Sequence, residues 1–201
     1  MTASATFDPA RAEAFGARML DVLNHGALGL MISIGHRTGL FDTMAGHGAA
    51  TSASIAERAG LDERYVREWL GALATGGVVE LDPDAGTYRL PAEHAASLTR
   101  AARPDNVAAT CQWLGVLGAV ESDVVACFAN GGGVPYERYD RFHAVMAEES
   151  DQTVVAALVE AILPSVPGLV ARLEAGIDVL DIGCGSGRAC ATMARAFPRS
   201  R

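Results

Sequence analysis

Between Pro9 and about His36 apolar residues recur at helical spacing, with Leu20, Leu23, Ala27, Leu28, Leu30, Met31 and Ile34 on one face. That face is too wide for one small domain to cover, so part of it is expected to meet a second subunit. A short helix is predicted next, with Thr51 or Ser52 as its N-cap and Gly60 as its stop. After the turn at Leu61 and Asp62, Tyr65, Val66, Trp69, Leu70 and Leu73 recur at spacings of three and four, which predicts a second helix ending at Gly76 and Gly77. Two apolar-rich runs, 78–81 and 87–90, flank a turn carrying Pro83 and Gly86 and read as a hairpin.

Helix, turn, helix and hairpin in this order spell a winged helix. Further helices are predicted between Asp105 and Leu173. Asn106 to Asn130 reads as one bent helix or two, with Trp113, Leu117, Val120, Val124 and Phe128 toward a core, and the glycine-rich loop 131–136 ends it. Tyr139, Phe142, His143 and Met146 share one face of a short segment, and Val154 to Leu163 forms another helix up to Pro164. The last predicted elements are a strand over 177–182, a glycine loop, and a helix from about Arg188 to Phe197 with Ala189, Met193 and Phe197 inward and Arg188, Thr192, Arg195 and Arg199 outward. The fold class is therefore mainly α: a winged helix-turn-helix domain over residues 1–100, a helical connector over 101–174, and the first β-α unit of an α/β domain over 175–201.

Composition narrows the picture. Half of the 201 residues are hydrophobic and 20% are charged, enough apolar content to offset chain entropy in a globular core. Met19 to Gly35 is the most apolar stretch, but Asp21, Asn24 and His25 interrupt it, and what remains is too short for about 30 Å of hydrocarbon. The start, Met1 to Pro9, is polar and shows no secretory signal. Sixteen basic residues, all Arg, against 24 acidic ones leave a net charge of -8, which argues against a nucleic-acid partner. Cys111, Cys127, Cys184 and Cys190 fit no zinc spacing and form no CxxC pair, so no metal is expected and reduced, mostly buried thiols in a cytoplasmic protein are.

The candidate chemistry lies in Asp181-x-Gly183-x-Gly185-x-Gly187, set between the predicted strand and helix. Glycines permit the positive φ of a tight strand-to-helix turn and keep Cβ atoms away from a ligand lying across the backbone. The helix that follows offers free N–H groups and a partial positive charge. A nicotinamide fingerprint would need Gly or Ala at position 188, which is Arg, and a phosphate-binding P-loop would need a Lys, which the chain lacks.

This segment resembles the first motif of class I S-adenosylmethionine-dependent methyltransferases, Asp/Glu-x-Gly-x-Gly-x-Gly after a Val-Leu strand. The whole chain is similar to a bacterial subfamily of small-molecule O-methyltransferases in which a winged helix and a helical connector precede a Rossmann-like cofactor domain. The resemblance implies S-adenosylmethionine as cofactor, with Gly183, Gly185 and Gly187 approaching its methionine portion, Cys184 in the same loop, and Asp181 fixing the loop and reaching the cofactor's amino group directly or through water. It also implies a homodimer built through the N-terminal domain and a small-molecule substrate. The run from Arg141 to Met146 resembles the connector segment that lines the cofactor and substrate cavity, which makes Tyr136, Phe142, His143 and Met146 the pocket candidates. The catalytic residues of such enzymes lie in the C-terminal domain, and no catalytic residue is assigned.

Such a domain holds the cofactor's ribose with an acidic residue about 20 positions past the glycine loop, at about 203, beyond Arg201. No Asp or Glu occurs from Gly187 onward. The expectation is an N-terminal part of such an enzyme, by itself at best a weak cofactor binder, with an unpaired strand whose apolar faces stay exposed. Two alternatives are a winged-helix transcription regulator and a non-catalytic dimerisation module. The candidate recognition helix speaks against the first, because Asp62, Glu63 and Glu68 outnumber Arg64 and Arg67.

Overall fold

The computed structural model describes residues 7–201; Met1 to Thr6, the first part of the polar start, lie outside the described residues. Helix α1, Pro9–Thr38, is capped by the Asp8 side chain and closed by Gly39 at φ 73°. At a rise of 1.5 Å per residue its 30 residues span about 45 Å. Only its C-terminal third packs. Leu28, Met31 and Ile32 lie against the core, whereas Phe15, Leu20, Val22 and Leu23 are all more than half exposed.

α2 (Leu40–Met44), α3 (Ser52–Ala59) and α4 (Glu63–Thr75) close the winged-helix core around Phe41, Ile55, Val66, Trp69, Leu70 and Leu73. The local signals act as expected: Thr51 caps α3, Asp62 caps α4, and Gly60 ends α3 in the left-handed region at φ 66°. Gly35 lets α1 cross this core closely, since a Cβ there would stand 2.5 Å from the Trp69 ring and 2.7 Å from Phe41. Tyr65, expected among the apolar positions of α4, is 72% exposed.

The hairpin pairs β1, Glu80–Asp82, with β2, Thr87–Arg89, two residues later on its first arm than the sequence predicts. The shift has a local cause. The N–H groups of Val78 and Val79 both donate back to the Leu73 carbonyl and finish α4 instead of entering the ladder. Ala50 adds an antiparallel bridge to Tyr88, tying the segment before α3 to the wing.

After α5 (Ala92–Ala95) the connector runs through α6 (Val107–Thr110), α7 (Gln112–Gly118) and α8 (Glu121–Asn130). The predicted long helix is thus three pieces. Val120 is buried, but Leu117, Val124 and Phe128 are exposed, Phe128 by 90%, because no described element covers that side of α8. α9, Phe142–Ser150, continues into wider π-helical turns at 151–155 and 158–162, so the separate helix expected from Val154 is one winding with it. Among the described residues no single helix is long and apolar enough to cross a membrane.

α10 (Leu169–Ala175) and α11 (Arg188–Ala196) enclose a second, smaller core of Leu158, Leu163, Leu173 and Phe197, with Ala189 and Met193 against it. The predicted strand over 177–182 is not a ladder strand, and Ile182 already lies in a turn. Its pairing consists of Val179 N–H donating to the Arg201 carbonyl at 2.7 Å and Arg201 N–H donating to that of Ile177 at 3.1 Å, the start of a parallel contact. Beyond it Leu180 and Ile182 are 84% and 88% exposed, as expected of a sheet strand without neighbours. All four cysteines are free and, contrary to expectation, none is buried: Cys111 and Cys127 are half-buried, and Cys184 and Cys190 are exposed beside this open edge.

Candidate functional site

The glycine loop turns the chain from the extended segment into α11. Gly183, Gly185 and Gly187 have φ values of 81°, 54° and 71°, a region in which a side chain is strained. A Cβ at any of the three would meet nothing within 4 Å, so the absent side chains leave an open surface along the backbone. Gly187 is the N-cap of α11 and its N–H donates to the Cys184 carbonyl at 2.8 Å, which closes the turn. No side chain caps α11, so its first N–H groups remain available to a ligand.

Helix α9 faces this loop across a cleft of about 400 Å³ lined by His143, Met146, Ala147 and Ser150 on one side and Gly183, Cys184, Gly185, Ser186, Arg188 and Ala189 on the other. Two pocket candidates from the connector, His143 and Met146, therefore meet the glycine motif although about 40 residues separate them in the chain. Phe142 lies behind them as the hub of an aromatic cluster. Its ring centroid is 5.1 Å from Trp113, 5.3 Å from Tyr136 and 5.5 Å from His143, so it packs and orients the helix face without lining the cleft. Tyr136 stacks on His143 at 6.1 Å and is 66% exposed.

Asp181 sits elsewhere. It lines a separate apolar hollow with Leu173, Val179, Met193 and Phe197, and its Oδ2 accepts a weak hydrogen bond from Cys190 Sγ at 3.4 Å. That hydrogen bond, followed by desolvation and the Asp181 charge, raises the Cys190 thiol pKa, so Cys190 stays protonated. Arg188, expected to face outward, lines the cleft and places Nη1 3.3 Å from Asp151 Oδ2. Its position as the first residue after the glycine loop is the sequence signal that marks it. Ala147 and Ser150 carry no such signal, because only the approach of α9 to the loop brings them to the cleft.

Beneath α9 lies a polar network. Glu148 Oε1 is 3.0 Å from His36 Nε2 and 3.4 Å from Arg100 Nη2, and its Oε2 accepts from Gln112 Nε2 at 2.9 Å. Arg100 Nη1 also donates to Asp42 Oδ2 at 2.6 Å. Burial, with the Arg100 charge, lowers the His36 pKa from its ordinary value, outweighing Glu148 and Asp42, which pull it up. For Glu148 burial acts upward, but the hydrogen bonds from Gln112 and His36 and the nearby positive charge hold its carboxyl below the ordinary range.

The profile of a family described as "Rv2258c-like winged HTH domain" matches residues 26–100. Among solved structures, the chain is similar to the mitomycin 7-O-methyltransferase, with a TM-score of 0.62 and 19% identity over 96% of this chain and 58% of that one. Human N-acetylserotonin methyltransferase in complex with SAM gives a TM-score of 0.60 at 15% identity, over 100% of this chain and 59% of that one. A methyltransferase of calicheamicin biosynthesis, solved in its SAH-bound form, gives 0.57 at 21% identity, over 98% and 59%. The chain thus spans a little under three fifths of the length of each of these structures. No curated protein matches the sequence. Residues 26–100 are therefore a winged helix-turn-helix domain matching the Rv2258c-like type, and the chain as a whole shares its fold with part of each of these solved methyltransferase structures.

Proposed function

We propose that this chain belongs to an enzyme that transfers a methyl group from S-adenosylmethionine to a small molecule, and that the cleft between α9 and the glycine loop is where cofactor and acceptor meet. The observation that carries this reading is the loop itself: three glycines at positive φ, an open surface where their side chains would stand, and an uncapped helix start beside them. These features suit a ligand that bears a carboxylate on a slender chain, because N–H donors and the helix dipole favour the negative group. Gly183 and Gly185 would lie against the methionine portion, with Cys184 and Ser186 presenting backbone between them and Gly187 opening α11. When bound, the cofactor supplies an electrophilic methyl group. His143 and Met146 form the opposite wall, so the chain's contribution is proximity and orientation. Asp181 would hold the loop from the strand side.

The relatives solved with SAM or SAH support the cofactor class. The winged helix serves in this reading as a dimerisation element, for which the exposed apolar stripe of α1 supplies the surface. DNA reading is less favoured. Arg67 of α4 is paired with Glu63 at 3.5 Å and Arg89 of the wing is held by Glu80 at 3.0 Å, so two of the basic groups where DNA would lie are neutralised locally.

Calorimetry and amide NMR of the 201-residue chain with S-adenosylhomocysteine test the proposal. Saturable shifts confined to 142–150 and 183–191, abolished by Gly185→Val, are expected. An unperturbed loop at millimolar ligand overturns cofactor binding by this chain.

A further inference from the structure

Helix α9 carries two stripes. His143, Met146, Ala147 and Ser150 follow one line of helical spacing and face the glycine loop, whereas Arg141, Val145 and Glu148 follow another, on which Val145 is buried, Arg141 bonds to α7 and Glu148 bonds to α1 and α7. The second stripe is fastened at both ends. Arg141, the sole non-glycine residue at positive φ among the described residues, precedes the helix at φ 62° and donates from Nη2 to Gln112 Oε1 at 2.7 Å. Two turns later Glu148 receives His36, Gln112 and Arg100.

His36 is the unusual member. Its side chain is 0% exposed, and Nδ1 is buried without a hydrogen-bond partner. A neutral imidazole with the proton on Nε2 fits this: Nε2–H donates to Glu148 and a bare lone pair faces the core. A second proton would leave a buried Nδ1–H without an acceptor, and its charge would be opposed by that of Arg100. The groups facing His36 are Glu148 from α9, Arg100 from the turn after α5, and Asp42 from α2, with Gln112 of α7 on the far oxygen of Glu148.

A buried polar pair is a poor source of net stability but a good source of registry, since only one arrangement satisfies it. In a helix of 3.6 residues per turn, a slip of one residue rotates α9 by about 100° and carries His143 and Met146 away from the loop. We infer that His36 and Glu148 are positioning residues that lock the rotation of α9 from the winged-helix side, so that the wall of the cleft stands against the glycine loop. The inference rests on the reading of that cleft as the ligand site, but its test does not depend on ligand.

Hydrogen–deuterium exchange of the full chain reads the result by segment. Glu148→Gln keeps the volume but meets the donor of Gln112 with a donor of its own, and His36→Leu removes the donor; both are expected to speed exchange over 142–150 and over the hydrogen-bonded part of α11, 191–196, by roughly tenfold, leaving 63–75 unchanged. His36→Gln, which keeps an N–H donor, is expected to retain wild-type protection. On acidification from neutral pH, wild-type protection of 142–150 falls after correction for intrinsic exchange, whereas in His36→Gln it falls less and only where Glu148 is protonated. Faster exchange everywhere, α4 included, or an unchanged 142–150, overturns the inference. Absence of S-adenosylhomocysteine binding with this exchange pattern intact overturns the cofactor reading and leaves the positioning role standing.

Discussion

The winged-helix core and the glycine-loop unit are built from similar residue types and end in opposite conditions. In the first, Phe41, Leu70 and Leu73 are wholly buried, and the helices around them carry side-chain caps or glycine stops. In the second, Leu180 and Ile182 point into solvent and only Ile177 to Val179 has begun to pair. Helices satisfy their backbone groups within themselves and need only one face covered. A parallel strand needs neighbours on both edges and layers on both faces. Local sequence thus suffices to finish one unit and not the other.

The sharpest way to break this comparison is truncation of matched apolar residues. Phe41→Ala should destabilise the chain by about 3–5 kcal/mol and Leu70→Ala by about 2–5 kcal/mol, whereas Leu180→Ala and Ile182→Ala should each change it by less than about 0.5 kcal/mol. Urea unfolding followed by circular dichroism measures all four. A large loss at Leu180 would mean that its surface is covered in solution.

Acidification comes next. The depressed pKa of His36 means that the unfolded chain takes up a proton first, so stability should fall as pH drops below about 6.5 until His36 also protonates in the folded state. Glu148, also depressed, adds a further loss at lower pH, as its carboxylate is protonated in the folded chain. Thermal melts across pH should show this slope in wild type and a reduced one in His36→Gln.

Substituting Gly187 by Ala forces a side chain into the left-handed region and should cost about 1–2 kcal/mol, read as fraying of α11 by amide exchange while α4 keeps its protection. Asp62→Ala, which removes the cap of α4, should cost about 1 kcal/mol in the winged-helix melt. Smallest is Arg89→Ala in the wing. Its exposed pair with Glu80 should change stability by under about 0.5 kcal/mol, and less still at high salt.

The fold was largely legible where its causes are local. Thr51, Gly60, Asp62 and Gly76 mark element ends by their own hydrogen bonds or backbone freedom, and the structure places the ends there. Legibility failed where a position depends on distant chain. Tyr65 and Phe128 have the spacing of core residues, but nothing arrives to cover them. At the site, the glycine loop was legible because glycine at positive φ is a local demand, and His143 and Met146 came from resemblance. Arg188 was legible from its place directly after the loop but was read as facing outward, whereas Ala147 and Ser150 acquire their role only when α9 meets the loop.

By itself, then, the sequence determined the order of elements, the winged helix and an open glycine turn ahead of a helix, since each rests on interactions within a few residues. The tertiary structure alone decided which stripe of α9 faces the loop and that His36 meets Glu148 across 112 positions. That contact comes from packing α1 against the connector, and neither spacing nor propensity encodes which buried donor will face which carboxylate.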